Sequence, residues 1–251
     1  MHAVQRLYLH RKSLSTTTFK ARGQRVIRCE QCRISVDCCI CELSPQVTSN
    51  AAFLLLMYDT EVLKPSNTGR LIADIIPDTF AFLWSRTEEN TELLEVLNDD
   101  KWQPFVVFPE QYVAPERDVF KEDLPLKKGK RPLFIMLDGS WREAKKMFRK
   151  SPYLNQFPVV AFDPEKMGDE QMTSRYQIRN ANVDNQFATA EVAARMLALV
   201  DENVNANLLD LWFDVFSFQY QKSKCRGNKG NPLAVENYTQ YLEQQYLAKK
   251  I

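Results

Sequence analysis

Two groups of side chains in this sequence have types and spacings suited to chemistry. Residues 29–41, "CEQCRISVDCCIC", hold five of the six cysteines. Residues 136–148, "MLDGSWREAKKMF", carry an apolar run onto a lone carboxylate, Asp138. Gly139, Ser140 and Trp141 follow, and then a helical pattern.

Five thiols this close together do not suit a disulfide ladder in a chain with no export signal. Thiolates favour zinc, and short loops place four sulfurs at tetrahedral corners. Two registers are open. Cys29, Cys32, Cys38 and Cys41 form a symmetric pair of CxxC turns, to which chemistry alone leans. Cys29, Cys32, Cys39 and Cys41 form CxxC followed by CxC. An iron–sulfur cluster and unliganded thiols are the alternatives. Cys225 stands apart.

Ser140 and Glu143 have the spacing of a capping box, which explains the serine without invoking function. Gly139 permits a sharp turn or a close approach. The cap does not need Asp138. This residue ends a predicted strand, and open α/β sheets bind ligands at the carboxyl ends of their strands. Asn67-Thr68-Gly69-Arg70 and Phe108-Pro109-Glu110 are further turns expected on that edge. Together they describe a pocket for a polar ligand with an aromatic part. The plainer readings are a turn aspartate bonded to its own backbone and a core tryptophan.

The elements that must position these residues follow from pattern. Apolar runs at 52–60, 79–84, 104–110, 132–138 and 157–163 read as strands. A short helix precedes Pro77, and helical patterns fill 90–100, 141–150, 187–201, 206–222 and 233–249. Residues 113–131 are polar, with Pro and Gly, and read as a loop. Continuous apolar strands alternating with helices predict an α/β fold, a mostly parallel sheet with helices on both faces. No GxGxxG or GxxxxGK[ST] is present, which argues against ordinary dinucleotide and P-loop sites. The expected organisation is a basic N-terminal segment with the cysteine module, 1–48, and a catalytic domain, 49–251.

The formal charge is +1 over 251 residues, so overall charge does not point to nucleic acid. Its distribution does: residues 1–34 hold eight Lys/Arg and one acid, Glu30, and such a face can grip a polyanion. Further basic clusters lie at 127–131 and 222–229. The segment 1–28 also has the composition of an organelle transit peptide, but it runs directly into the cysteines. No apolar stretch is long enough to span a bilayer. The expectation is a cytoplasmic protein with no membrane partner.

Several stretches resemble one family. They are "ARGQRVIRCEQCR", "MYDTEVLKPSNTGRLIADIIP", "FVVFPE", "LDGSWREAKKMF" and "SRYQIRNANVDNQFATAEVAARML", in order over roughly residues 20–200. The sequence looks like a DTW-domain tRNA-uridine aminocarboxypropyltransferase of bacterial type. That family is named for an Asp-x-Thr-Trp signature, which stands here as Asp138-Gly139-Ser140-Trp141, with Ser140 in place of Thr. The family's CxxC-then-CxC pattern points to Cys29, Cys32, Cys39 and Cys41 as ligands of a structural zinc ion.

The resemblance implies a SPOUT-like knotted fold holding S-adenosyl-L-methionine at the C-terminal edge of the sheet. It implies transfer of the 3-amino-3-carboxypropyl group to N3 of a tRNA uridine, in the variable loop, with methylthioadenosine leaving. On this reading Asp138 is the catalytic base. Asn67, Thr68, Gly69, Arg70, Phe108, Pro109, Asp138, Gly139, Ser140, Trp141, Tyr176, Arg179, Thr189 and Glu191 are cofactor-binding candidates. Arg70, Arg175 and Arg179 are candidate clamps for the cofactor carboxylate. Arg22, Arg25, Arg28, Arg33 and Arg175 are expected on the RNA backbone. The competing readings are a SPOUT-type RNA methyltransferase using the same cofactor, and a non-catalytic zinc module that binds RNA.

Overall fold

A computed structural model of the protein describes residues 1–16, 26–161, 187–223 and 227–248. Among these, six strands form one sheet: β1 (Ala52–Met57), β2 (Thr79–Leu83), β3 (Trp102–Val107), β4 (Val119–Phe120), β5 (Arg131–Asp138) and β6 (Val159–Val160). The order is β2-β1-β5-β3-β6-β4, with every pairing parallel. Seven α-helices accompany them: α1 (Ala3–Ser13), α2 (Gly69–Ile75), α3 (Thr91–Asn98), α4 (Trp141–Arg149), α5 (Thr189–Ala198), α6 (Asn203–Lys222) and α7 (Ala234–Ala248).

All six residues of β1 are fully buried, as expected of a central parallel strand covered on both faces. Side chains alternate across the sheet. Phe53, Leu55, Met57, Phe134 and Met136 face a layer built from α2, α5, α6 and α7. Leu54, Leu56, Leu133 and Ile135 face α3 and α4. Burying each such side chain stabilises the fold by roughly 1.5–3 kcal/mol. The cysteine segment joins the first layer through the fully buried Ile34 and Ile40.

Two elements differ from the sequence expectation. The stretch read as a loop, 113–131, contains β4, which pairs with β6 at the sheet edge. Two residues between Asp118 and Lys121 are too few to show alternation. The basic N-terminus forms α1, which packs against β2 and α2. Ala3, Val4 and Gln5 are its buried residues, so it has little apolar periodicity to read. Arg11 forks onto the carboxylate of Asp59 just beyond β1, at 2.5 and 2.9 Å. Among the described residues no helix is long and apolar enough to cross a membrane.

Candidate active site and metal centre

Asp138 is the last residue of β5 and is 2% exposed. Its neighbours come from three elements. Asn67, ahead of α2, donates from Nδ2 to Asp138 Oδ2 at 2.6 Å. Thr189, the first residue of α5, donates from Oγ1 to Oδ1 at 2.7 Å. Gly69 passes so close that a Cβ there would lie 2.5 Å from Oδ2. Of the residues singled out from sequence, Asn67, Gly69, Asp138 and Thr189 thus lie together.

Asn67 is fully buried and connects more than one group. Its Nδ2 also donates to Glu61 Oε1 at 3.2 Å, and its Oδ1 accepts the Arg70 amide at 3.1 Å. The side chain thus caps α2 while bridging two carboxylates. Glu61 is 1% exposed and pairs with Lys64 at 2.5 Å. Sequence reasoning missed Glu61. Its position just beyond β1, on the same carboxyl edge as Asn67, was the available signal.

Glu191 is buried and accepts the Ala188 amide at 2.7 Å, closing the start of α5. Ser140 begins α4, and Glu143 Oε2 receives both its N–H at 2.7 Å and its hydroxyl at 2.6 Å. Thr68 is buried beside Asn67. Gly139 packs closely on Glu143 and Tyr58, which would stand 3.1 and 3.3 Å from an added Cβ. Pro109 ends the turn after β3 and accepts from the Tyr112 amide at 3.2 Å. Phe108 is buried and stacks on Trp141, at 5.6 Å between centroids, and on Phe148, at 4.2 Å. These rings lie across the sheet from the Asp138 carboxylate, because Asp138 follows the alternation of Phe134 and Met136. Tyr176 and Arg179 lie outside the described residues, as do Arg22, Arg25 and Arg175.

The sulfurs of Cys29, Cys32, Cys39 and Cys41 all lie within 4.8 Å of one another. Cys38 is not among them, so the symmetric register to which chemistry leaned is set aside. Cys38 ends a 3-10 turn, Val36–Cys38, and Cys39 leaves that turn in extended conformation with its sulfur in the cluster. The Cys29–Cys41 and Cys32–Cys39 separations are 3.6 and 3.7 Å. Tetrahedral zinc with bonds of about 2.3 Å sets its sulfurs about 3.8 Å apart, so the donor set and spacing fit this metal. Burial alone would raise the Cys29 pKa, but the Cys32 and Gln31 amides and neighbouring thiols bring it down to about 7. Burial and the neighbouring sulfurs push Cys41 up. The metal-free cluster thus retains protons that a divalent ion would displace.

Two buried arginines adjoin this cluster. Arg70 is fully buried and Arg33 is 3% exposed. Among the described residues, Nε and Nη2 of both have no hydrogen-bond partner, though Arg70 Nη2 lies 3.8 Å from the Asp74 carboxylate. Arg70 Nη1 donates to the Gln31 carbonyl at 3.3 Å, and its guanidinium lies 5.2 Å from the Phe216 ring. Arg33 Nη1 donates to the Val62 carbonyl at 2.6 Å, and its guanidinium covers the Tyr8 ring at 4.7 Å. Both act electrostatically on Cys32. Four thiolates on a divalent ion carry a formal charge of about −2; Arg33 would offset part of it, and Arg70 shares its charge between the cluster and Asp74. Arg33 is therefore placed beside the metal centre rather than on an RNA-facing surface. Arg28 is half-buried and donates to the Arg33 carbonyl at 3.0 Å.

The cluster and the carboxylate are mechanically linked. Arg70 holds the cysteine turn through Gln31 and is held by Asn67, which in turn holds Asp138. A family model described as DTW domain matches residues 26–221, a span that includes both centres. No solved structure matches the chain.

Proposed function

The chain belongs to the DTW domain family, and from that premise we propose that it transfers the 3-amino-3-carboxypropyl group of S-adenosyl-L-methionine to N3 of a tRNA uridine in the variable loop. Family membership is consistent with tRNA modification. The observation that carries the finer reading is the buried Asp138 carboxylate within Asp138-Gly139-Ser140-Trp141, held between Asn67 and Thr189 at the carboxyl edge of a parallel sheet. We place this sheet in a SPOUT-like knotted fold.

Asp138 and Glu61 are buried carboxylates bridged by one amide. Glu61 is paired with Lys64, so Asp138 is the carboxylate we set against a ligand carrying a sulfonium and an ammonium. The protein's main task is to choose which carbon on sulfur is attacked, which is a matter of positioning. In the reaction, N3 of uridine bonds to the γ-carbon of the methionine chain. The carbon–sulfur bond breaks, its electron pair stays on sulfur, and neutral methylthioadenosine leaves.

The N3 proton must go to a base, and Asp138 takes that role. Asn67 and Thr189 orient the carboxylate through neutral donors. At 2% exposure the carboxylate does not face bulk water, so uridine reaches it only by displacing a neighbour. Cys29, Cys32, Cys39 and Cys41 would hold zinc in a structural role, fixing the turn to which Arg70, and through it Asn67, is tied.

The test is mass spectrometry of nucleosides and small products after incubating the protein with unmodified tRNA and S-adenosyl-L-methionine. The expected result is an aminocarboxypropyl uridine together with methylthioadenosine. A methylated nucleoside with S-adenosylhomocysteine would replace this reading with a methyltransferase. Tight RNA binding without either product would leave a binding protein.

A further inference from the structure

The face of the sheet opposite Asp138 carries a cleft of about 670 Å³ between α4 and the chain that follows β3. Its walls include Arg117, Arg142, Lys145, Lys146 and Arg149, against one acid, Glu116. Phe108, Tyr112 and Phe148 supply the aromatic lining. Arg142, Lys145, Lys146 and Arg149 have i, i+3, i+4, i+7 spacing and so form one stripe along α4. Arg142 and Arg149 are exposed, and none of the four has an ion pair with a described acid. Arg117 is different: it donates to the Phe157 and Leu154 carbonyls, both at 2.7 Å, and shapes the wall. Tyr112 is 41% exposed, and the Lys145 ammonium lies 5.4 Å from its ring.

We propose that this cleft binds a single-stranded RNA segment, with phosphates along the α4 stripe and a base stacked on Tyr112. The inference rests on the RNA-directed reading above and adds where the RNA lies. Cations beside an exposed aromatic ring match a backbone and a base presented together. A paired base offers no open face, which favours a loop or another unpaired stretch. The cofactor is excluded on charge: S-adenosyl-L-methionine is net positive, and this wall is cationic. An anionic membrane is a poorer match, because Tyr112 is the only exposed large apolar side chain among the lining residues. Phe108 and Tyr112, just past the carboxyl end of β3, line the cleft, so RNA held there can send one nucleotide over that edge toward Asp138.

The experiment titrates the full chain with fluorescent unmodified tRNA at several salt concentrations. Wild type is compared with Arg142→Ala/Arg149→Ala and with Lys127→Ala/Lys128→Ala, which removes equal charge from exposed sites elsewhere. The stripe variant should bind about 10-fold or more weakly, with a salt slope shallower by about two, close to one for each phosphate no longer neutralised. The control pair should resemble wild type. Tyr112→Ala should weaken binding by about 10-fold with the slope unchanged. S-adenosyl-L-methionine affinity, measured by calorimetry, should be the same in all variants. A single-stranded oligonucleotide should compete with tRNA better than a blunt duplex of equal length.

Equal weakening in both double variants overturns the assignment. So does loss of cofactor affinity with tRNA affinity retained, equal competition by the duplex, or binding to phosphatidylserine vesicles in place of tRNA. If wild type modifies tRNA and the stripe variant binds it normally, the cleft is wrong and the reaction stands. If the stripe variant loses binding while wild type forms no product, the cleft stands and the reaction reading falls.

Discussion

Gly69 and Asp138 are packed so closely that no side chain fits between them: a Cβ on Gly69 would stand 2.5 Å from Oδ2 of Asp138. Either the carboxylate or the start of α2 must move to admit one. Gly69→Ala should therefore destabilise the fold by ~1–3 kcal/mol and weaken cofactor binding. Urea unfolding and calorimetry check both effects. A wild-type midpoint would show that Asp138 is free to swing away.

Asp138→Asn is a clean test of the proposed base. The new amide can accept from Asn67 through its oxygen and donate to the Thr189 hydroxyl, which can turn to receive it. The tie between β5, α2 and α5 is then preserved, while the capacity to take a proton is lost. The expected result is a near-native melting temperature and a single-turnover rate lower by about 10²–10⁴. A wild-type rate would remove Asp138 as base. Lost cofactor affinity at an unchanged rate would make it a positioning residue.

The metal ligands separate by register. Cys39→Ser should lose zinc and melt at a lower temperature, because metal binding is linked to folding. Cys38→Ser should keep one zinc per chain, since its sulfur is outside the cluster. Elemental analysis together with thermal melts decides between them. A chelator should lower the melting temperature of wild type and also weaken cofactor binding, through Arg70 and Asn67.

Arg33 and Arg70 should govern how firmly the metal is held. Arg33→Met keeps volume and removes charge, so metal retention against a competing chelator should fall by about 10-fold or more, roughly 1.4 kcal/mol. Secondary structure should be unchanged with zinc in excess. Unchanged retention would mean that the thiolate charge is balanced elsewhere.

Asp74 provides a pH test. Burial opposes its ionised form, but Arg70 and then His2 outweigh burial and hold its carboxyl below the usual value. Trp212 Nε1 donates to Oδ2 at 3.1 Å, and His2 Nε2 lies 3.2 Å from Oδ1. A depressed folded pKa means stabilisation that is full above the unfolded value of about 3.9 and is lost as pH falls through the lower folded value. Asp74→Asn should lower stability at neutral pH by ~3 kcal/mol. It should also flatten the decline in stability as pH falls below about 4, read by urea midpoints at each pH. Parallel curves would place the acid sensitivity in other carboxylates.

The sequence was most informative where a residue's type matched its local task. The apolar runs of β1 and β5 announced buried parallel strands, and the lone carboxylate after the β5 run marked where that strand ends. The Asn67 turn was visible for the same reason. Choosing between Cys38 and Cys39 needed the family resemblance, since spacing alone allowed both. Arg33 was misplaced because a basic residue in a basic segment reads as solvated, and its burial depends on Tyr8 and Val62, which are distant in sequence. The α4 stripe escaped notice because Glu143, Ala144, Met147 and Phe148 interrupt it in sequence but not on the helix surface. β4 and α1 owe their conformations to neighbours more than to their own patterns.

The strand order has a consequence for the order of events during synthesis. β5 lies between β1 and β3 in the sheet yet follows both in the chain, and β6 likewise follows the β3 and β4 strands it separates. The sheet is therefore completed by insertion. Until residues 131–138 emerge from the ribosome, β1 presents an unpaired apolar edge and β3 has no partner at all. Such edges invite pairing with other chains, and pairings between distant segments form slowly. The nascent chain should depend on chaperones in this interval, and dependence should fall sharply once β5 has been translated.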